Sequence, residues 1–296
     1  DSVDESNVSL AVSRLERIIE IQKVLIDQIR VLETMTAMDF LEFRDDLFPS
    51  SGFQSAQFRV LENKLGLQIN ERINYGHQDY KNPLLDSGRQ DVMKAENEKS
   101  LFDLLENWLE RTPFLSFEGF NFWEQYSVAI RTILQNEEET IKNNPTHTKE
   151  EIEYHLKDHE RAVASFESMI DPDKHNILIE KKKKRLSHKA TKAALLIFLY
   201  RDEPILHSPF NLLSRLMDVD ELFTTWRQRH ALMVRRMIGA KIGTGGSSGH
   251  AYLQKTADRH KIFSELADLS TFFIPRSALP ELPENIKKNL GYHFKK

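Results

Sequence analysis

A single histidine stands on a basic and apolar stretch whose composition is typical of a ligand-binding helix. His230 follows Trp226 by four residues, so both side chains share one helix face. A neutral imidazole can bind a metal ion, and the alternative is a histidine that fills a core or caps a helix. Carboxylates such as haem propionates would suit the flanking guanidinium groups, which bind carboxylates through paired hydrogen bonds. These flanking residues are Arg227, Arg229, Arg235 and Arg236.

The glycine-rich segment 243–249 (GTGGSSG) follows that helix closely. Glycine carries no side chain, so backbone amides and the hydroxyl of Thr244 could approach a small ligand here. The segment follows a helix rather than a strand and lacks a Lys-Ser/Thr end, which disfavours a nucleotide loop. A flexible surface linker is the alternative.

A second pair at helical spacing lies far upstream. Phe40 and Arg44 are four residues apart, which suits a ligand that is aromatic at one end and carries a carboxylate at the other. An arginine that covers a core phenylalanine at the surface is the alternative. Ser51 and Gly52 follow at a helix break, where backbone amides lack helical partners.

Composition narrows the class of protein. The chain has 296 residues, of which 40% are hydrophobic and 29% charged, as expected for a globular protein with a core. The net charge of −4 gives no general case for nucleic acid or a membrane surface as a partner. The absence of cysteine excludes disulfides, iron–sulfur clusters and a cysteine-ligated haem. No apolar run is long enough to cross a bilayer, and a cytoplasmic location is expected.

Glycine and proline are sparse, and apolar residues recur at helical spacing, so the predicted fold class is all-α. Residues 8–32 are expected to form a core helix buried over more than half its surface. Residues 68–92 are expected to be an irregular connection, with a helix returning at 95–111. The segments that carry the candidate site are predicted to belong to a core of 1–143 and 206–296, into which a small helical insertion, 144–205, is placed.

Boundaries near the candidate site follow from breakers and periodicity. Pro204 is predicted to end the preceding helix, and the HSPF segment (207–210) to lead into another helix; a separate long helix over 218–239 then carries His230. A further helix is predicted over 252–273.

Two weaker signals have plainer explanations. The run 181–185 (KKKKR) could be a nuclear signal or a nucleic-acid patch, but a solvated helix face or loop is favoured. His155 and His159 have the spacing of a zinc pair, yet HLKDH lacks the glutamate of HExxH, so surface histidines are favoured.

Several segments occur together and in a fixed order along the chain. They are LETMTAMDFLEFRDDLFPSSGFQSAQFRVLENKLG (32–66), WLERTP (108–113), GFNFW (119–123), YRDEP (200–204) and WRQRHALMVRRMIG with GTGGSSG and YL (226–253). Jointly they resemble the tryptophan 2,3-dioxygenase family over nearly the whole chain. The pairing of SGFQSxQFR with GTGGSSG is highly specific.

The resemblance implies an all-helical protein that binds haem b and forms a homotetramer. It implies a reaction in which both atoms of O2 are inserted across the indole C2–C3 bond of L-tryptophan, giving N-formylkynurenine. His230 matches the family's proximal iron ligand, and Trp226 the tryptophan beside it. Contacts to the haem propionates are expected from Arg59, Arg227 and Tyr252.

The resemblance also implies substrate-binding residues. Arg44 matches the arginine that holds the substrate carboxylate, and Thr244 the threonine at its ammonium and carboxylate end. Phe40 matches an aromatic side chain near that arginine, and Ser51 and Gly52 match the segment that lines the pocket at the haem edge. The WLERTP segment resembles part of a second tryptophan site.

One departure from the family is large. The YGEYL-like motif and the THQxYELWF-like helix, which supplies the histidine on the oxygen side of the haem, do not occur here. No catalytic residue is therefore assigned in this chain, and activity of the chain alone is in doubt. A separate chain carrying those motifs, produced by cleavage and still associated, is expected; loss of the segment is the alternative.

Two other functions are compatible with parts of the pattern. One is a non-catalytic haem sensor or carrier, and the other is a helical scaffold without a cofactor. Retention of Arg44 and Thr244 argues against a gas sensor, which needs neither.

Overall fold

The computed structural model describes residues 7–48, 52–73, 79–82, 84–112, 116–117, 120–243, 249–284 and 287–288. The predicted all-α class is confirmed. Sheet structure in these ranges is limited to an antiparallel pair, β1 (Ser116–Phe117) and β2 (Phe120–Asn121), in which Ser116 lies opposite Asn121. None of the described helices is both long and apolar enough to cross a membrane.

Helices account for most of the described residues. They are α1 (Val8–Leu32), α2 (Ala37–Phe43), α3 (Ala56–Leu65), α4 (Asp86–Asn97), α5 (Leu101–Glu110), α6 (Phe122–Lys142), α7 (Lys149–Ile170), α8 (Pro172–Glu180), α9 (His188–Leu199), α10 (Pro204–Ile238), α11 (His250–Arg259) and α12 (Ser264–Asp268). Short 3-10 turns occur at Arg44–Leu47, Gly52–Gln54, Ile69–Glu71, Leu269–Phe272 and Arg276–Ala278.

Contacts within the chain define two compact units. The first contains Asp1–Leu105 and Ser214–Ser264, and the second contains Glu106–Leu213 and Glu265–Lys296. All of the predicted insertion 144–205 falls in the second unit, and its standing as a separate inserted subdomain stays a prediction. The candidate site residues fall in the first unit.

Helix α1 forms one wall of the first unit. Its buried face includes Leu15, Ile19 and Ile26, and the amide of Gln22 donates to the Val219 carbonyl of α10 over 3.0 Å. The expectation that more than half of this helix is buried is wrong, because a second apolar stripe lies at the surface. That stripe comprises Ile18, Ile21, Val24, Leu25 and Leu32, of which Val24 is 57% exposed.

Helix α4 begins at Asp86, inside the segment expected to be an irregular connection. Ser87 and Gly88, typical turn residues, lie in its first turn. A Cβ at Gly88 would lie 2.7 Å from the Cβ of Ala56, so the glycine permits close approach of α4 to α3. The composition therefore reflects packing between helices, which a local pattern does not reveal.

Helix α10 is continuous from Pro204, so the predicted break before residue 218 is wrong. Pro209 lies near the start of the helix and removes one hydrogen bond, to the Ile205 carbonyl. Burial of Leu206, Leu212 and Leu213 near the proline offsets that loss.

The predicted helix 252–273 is interrupted after Arg259. The backbone amides of Ile262 and Phe263 do not continue the helix; they donate to the buried carboxylate of Asp220 on α10, over 2.9 and 3.0 Å. The interruption places His260 against the candidate site.

Candidate functional site

A cavity of about 400 Å³ lies within the first unit, in the size range of small-molecule sites. Helices α2, α3, α10 and α11 contribute its walls. Most of the lining is apolar, from Phe40, Phe58, Met233, Val234, Met237, Ile238 and Leu253. Charged and polar groups line it as well, namely Arg44, Arg59, Glu62, Arg227, His230, Tyr252, Thr256 and His260.

His230 lines the cavity from the middle of α10. The Trp226 ring stacks on it with 5.2 Å between ring centroids, and Phe58 lies 5.6 Å from Trp226 on the other side. Burial lowers the pKa of His230, so the imidazole is neutral at pH 7. Among the described residues none hydrogen-bonds this ring. A ring nitrogen is therefore available to a metal ion at the cavity.

Arg44 and Phe40 reach the same cavity from the other end of the sequence. The guanidinium of Arg44 donates to the Ile242 carbonyl, in the segment after α10. Phe40 lies edge-on to Phe43, with 5.4 Å between ring centroids, and Gly52 also lines the cavity. Arg44 and His230, 186 positions apart in the sequence, thus face one space. Ser51 and Thr244 lie outside the described residues.

The glycine-rich segment is described only at its two ends. Gly243 and Gly249 both line the cavity. Gly249 has a φ of +56°, a backbone conformation that residues other than glycine rarely adopt. Both described ends of the segment therefore lie at the cavity, as expected for a segment that contacts a ligand there.

Arg59 and Arg227 form a buried basic surface of the cavity, with 9% and 6% of their surface exposed. Arg59 is in hydrogen-bonding contact with Tyr252. Arg227 lies over the rings of Phe58 and Phe223, 5.5 and 5.8 Å from their centroids, and donates to the His260 carbonyl over 2.8 Å. The three residues expected to contact propionates therefore lie together.

Glu62 lies behind these arginines and was not predicted. Its carboxylate accepts from Arg59 and Arg227 over 3.0 Å each, from Arg72, and from Nδ1 of His260 over 3.1 Å. Burial alone would raise the pKa of Glu62, but the His260 hydrogen bond and the arginine charges outweigh it. The pKa of Glu62 therefore lies well below its usual range, and the carboxylate stays ionised.

His260 is held as one neutral tautomer. Its Nε2 accepts the backbone N–H of Ile73 over 3.3 Å, so the proton is on Nδ1 and is donated to Glu62. Burial lowers the pKa of His260 more than the Glu62 carboxylate raises it. The imidazole therefore adds a donor to the cluster without adding charge.

A signal for Glu62 was present in the sequence. Arg59 and Glu62 are three residues apart on α3, a spacing at which opposite charges meet on a helix. Apolar spacing predicts Leu61 and Leu65 for the core; Leu65 is buried, but Leu61 is 39% exposed, whereas Glu62 and Asn63 are buried. Apolar periodicity alone therefore does not indicate the buried polar side chains of α3.

The other histidine pair considered for metal lies elsewhere. His155 and His159 lie in the second unit, where His155 stacks on His147 with ring centroids 4.8 Å apart. His159 is buried, so the expectation of two surface histidines is wrong for this residue. Within the described ranges, no group of three or more His, Cys, Asp or Glu side chains is arranged to hold a metal ion.

The residues present fit a haem. A neutral imidazole, apolar walls and a buried basic surface are the three features that an iron porphyrin with two carboxylates needs. The sequence model of the family described as tryptophan 2,3-dioxygenase matches residues 1–273. The chain belongs to the tryptophan 2,3-dioxygenase family.

Relatives from distant organisms carry the same name. Tryptophan 2,3-dioxygenase of Bdellovibrio bacteriovorus is 48% identical over 99% of this chain and 82% of its own length. The enzyme of Dictyostelium discoideum is 47% identical over 95% of this chain and 70% of its own length. That of Xenopus tropicalis is 46% identical over 97% and 70%. Membership of the tryptophan 2,3-dioxygenase family therefore does not depend on the site residues alone.

The neutral state of His260 predicts a pH dependence of stability. An unfolded imidazole takes up a proton near its ordinary pKa of about 6.5, whereas the folded group, with a lowered pKa, does not. Stability is therefore lost as the pH falls below about 6.5, by up to about 1.4 kcal/mol per pH unit for one group. We expect a shallower loss between about pH 6.5 and 5 in His260→Asn, which keeps an N–H donor for Glu62.

Urea denaturation of the cofactor-free protein at several pH values measures this slope. His155→Asn, a change in the second unit, is the matched control. Identical slopes for His260→Asn and the unaltered protein would show that His260 takes up its proton equally in the folded and unfolded states, and would contradict the lowered pKa.

Proposed function

We propose that this protein is a haem-dependent dioxygenase that cleaves the indole C2–C3 bond of L-tryptophan with O2, giving N-formylkynurenine. The observation that carries this proposal is the meeting of His230, Arg44 and the buried arginines at one cavity, in a chain of the tryptophan 2,3-dioxygenase family. The relatives described above are named as dioxygenases, and nothing favours a sensor or carrier.

The proposed cofactor is haem b. His230 would hold the iron through a ring nitrogen, with Trp226 fixing the plane of the imidazole by stacking. Arg59, Arg227 and Tyr252 would bind the propionates, since guanidinium and phenol groups donate to carboxylates. When bound, the haem supplies the oxygen chemistry, and the protein supplies position and electrostatics.

The proposed substrate residues act by orientation. Arg44 would hold the carboxylate of tryptophan. Among the described residues, its guanidinium donates to the Ile242 carbonyl with one of its five N–H groups. Thr244 would bind the ammonium end, while Phe40, Ser51 and Gly52 would line the space around the substrate. Fixing the amino-acid end would leave the indole one orientation toward the cofactor, so that C2 and C3, the carbons that react with O2, would be held in place.

The cofactor assignment predicts that His230→Gly loses the histidine bond to the haem iron. We expect the visible spectrum of the haem-loaded variant to lose its histidine-bound form, and added imidazole to restore it, because the free base can occupy the vacated space. His155→Gly places the same helix-weakening glycine in α7 and serves as the control. An unchanged spectrum in His230→Gly would assign the iron to another ligand.

The substrate assignment predicts that Arg44→Ala weakens tryptophan binding. A charge-assisted hydrogen bond contributes about 1.5–3 kcal/mol, so the Kd and KM should rise about 10- to 150-fold. Titration of the haem-loaded protein with tryptophan, followed by the visible spectrum, measures the Kd. Arg229→Ala is the matched control, because Arg229 pairs with Glu33 over 3.1 Å. Unchanged affinity in Arg44→Ala would refute the role of Arg44.

The remaining parts of the proposal concern assembly and place. We propose a homotetramer and a cytoplasmic location. Light scattering of the purified protein tests the subunit number, and cell fractionation tests the location.

A further inference from the structure

The cluster around Glu62 carries more positive than negative charge. Three guanidinium groups, of Arg59, Arg72 and Arg227, surround one carboxylate, and His260 is neutral. Asp220 acts on Arg227 and lowers the formal surplus from two charges to one. Buried surplus charge is costly unless a counter-ion reaches it. The cluster therefore needs an anion that does not come from the described residues.

The cavity is where such an anion could reach the cluster. Arg59 and Arg227 both line it, whereas Arg72 instead pairs with Asn63 and lies over the Tyr80 ring, 4.3 Å from the centroid. The Nε–H of Arg59 is buried and has no hydrogen-bond partner in the part of the chain that the structure describes. Unused donors and surplus charge therefore coincide at the cavity wall.

Glu62 decides how those two arginines point. A carboxylate has about four acceptor positions, and all four of its donors come from different parts of the chain. Glu62 can hold each guanidinium through some of its N–H groups, and the remaining N–H groups can bind a ligand. Without it, three mutually repelling cations would share a buried space.

We propose that Glu62 is a positioning residue that aims Arg59 and Arg227 at the two carboxylates of the cofactor. This proposal rests on the proposed function, because the anion is the propionate edge of a bound haem. Glu62 touches neither iron nor substrate in this scheme. It acts through the arginines, and its effect should depend on whether the cofactor carries carboxylates.

A comparison of two porphyrins tests this dependence. Haem and haem dimethyl ester share the iron and the ring, but the ester lacks both negative charges. Equilibrium titration of the cofactor-free full chain, followed by the Soret band, gives a Kd for each. We expect the unaltered protein to prefer haem by about 100-fold or more, from two charge-assisted contacts. In Glu62→Gln this preference should fall below about 10-fold.

A purely structural role for Glu62 gives a different result. Misfolding or looser packing weakens binding of both porphyrins alike and leaves their ratio unchanged, which would overturn the proposal. Glu62→Asp keeps the charge but shortens the side chain, so we expect a ratio between those of the other two proteins. A ratio in Glu62→Asp equal to that of the unaltered protein would also count against positioning.

The control variant and the parent protein separate the possible failures. Glu96→Gln removes a carboxylate that pairs with Lys81 over 3.0 Å, and the ratio should not change. If the unaltered protein binds both porphyrins equally, the assignment of Arg59 and Arg227 is wrong and the role of Glu62 fails with it. If it binds neither, the proposed function itself is overturned.

Discussion

Glu62 is a carboxylate that is almost wholly removed from water and accepts hydrogen bonds from four side chains. Through it, α3 is tied to α10 by Arg227, to the end of α11 by His260, and to the turn after α3 by Arg72. Breaking a buried ion pair on one side costs about 3–5 kcal/mol, since the partner charge stays buried. This one carboxylate therefore holds three parts of the cavity wall together.

The cavity has two kinds of wall, one apolar and one positively charged. Apolar and aromatic side chains from α10 and α11 exclude water around His230 and keep its imidazole neutral. On the other wall, arginines held in a hydrogen-bonded cluster supply fixed positive charge. A low-polarity wall strengthens the field of those charges, because fewer water molecules screen them. The two walls therefore support each other in binding a ligand that is apolar in its body and anionic at its edge.

Local signals predicted much of the fold. The apolar residues that predicted α1 over 8–32 recur within a few residues of each other, so a short window of sequence contains the signal. The start of α4 was not predicted, because Gly88 is required by close packing against Ala56 of α3, a contact that the local sequence does not show. The unbroken course of α10 was missed because buried leucines outweigh the proline.

The residues of the candidate site were also predicted only in part. Family motifs pointed to His230, Arg44, Arg59, Arg227 and Tyr252, and these residues meet at one cavity. Glu62 and His260 were not predicted. Their hydrogen bond joins residues 198 positions apart, and no pattern along α3 indicates a partner at that distance.

The bond between Arg44 and the Ile242 carbonyl has a consequence for the speed and strength of ligand capture. A free arginine side chain samples many rotamers, and ordering it costs roughly 2 kcal/mol. Here the hydrogen bond to Ile242, in the segment after α10, restricts that guanidinium before any ligand arrives. A carboxylate ligand would then lose less side-chain entropy on binding, and displacement of the backbone at 242–243 would weaken that binding.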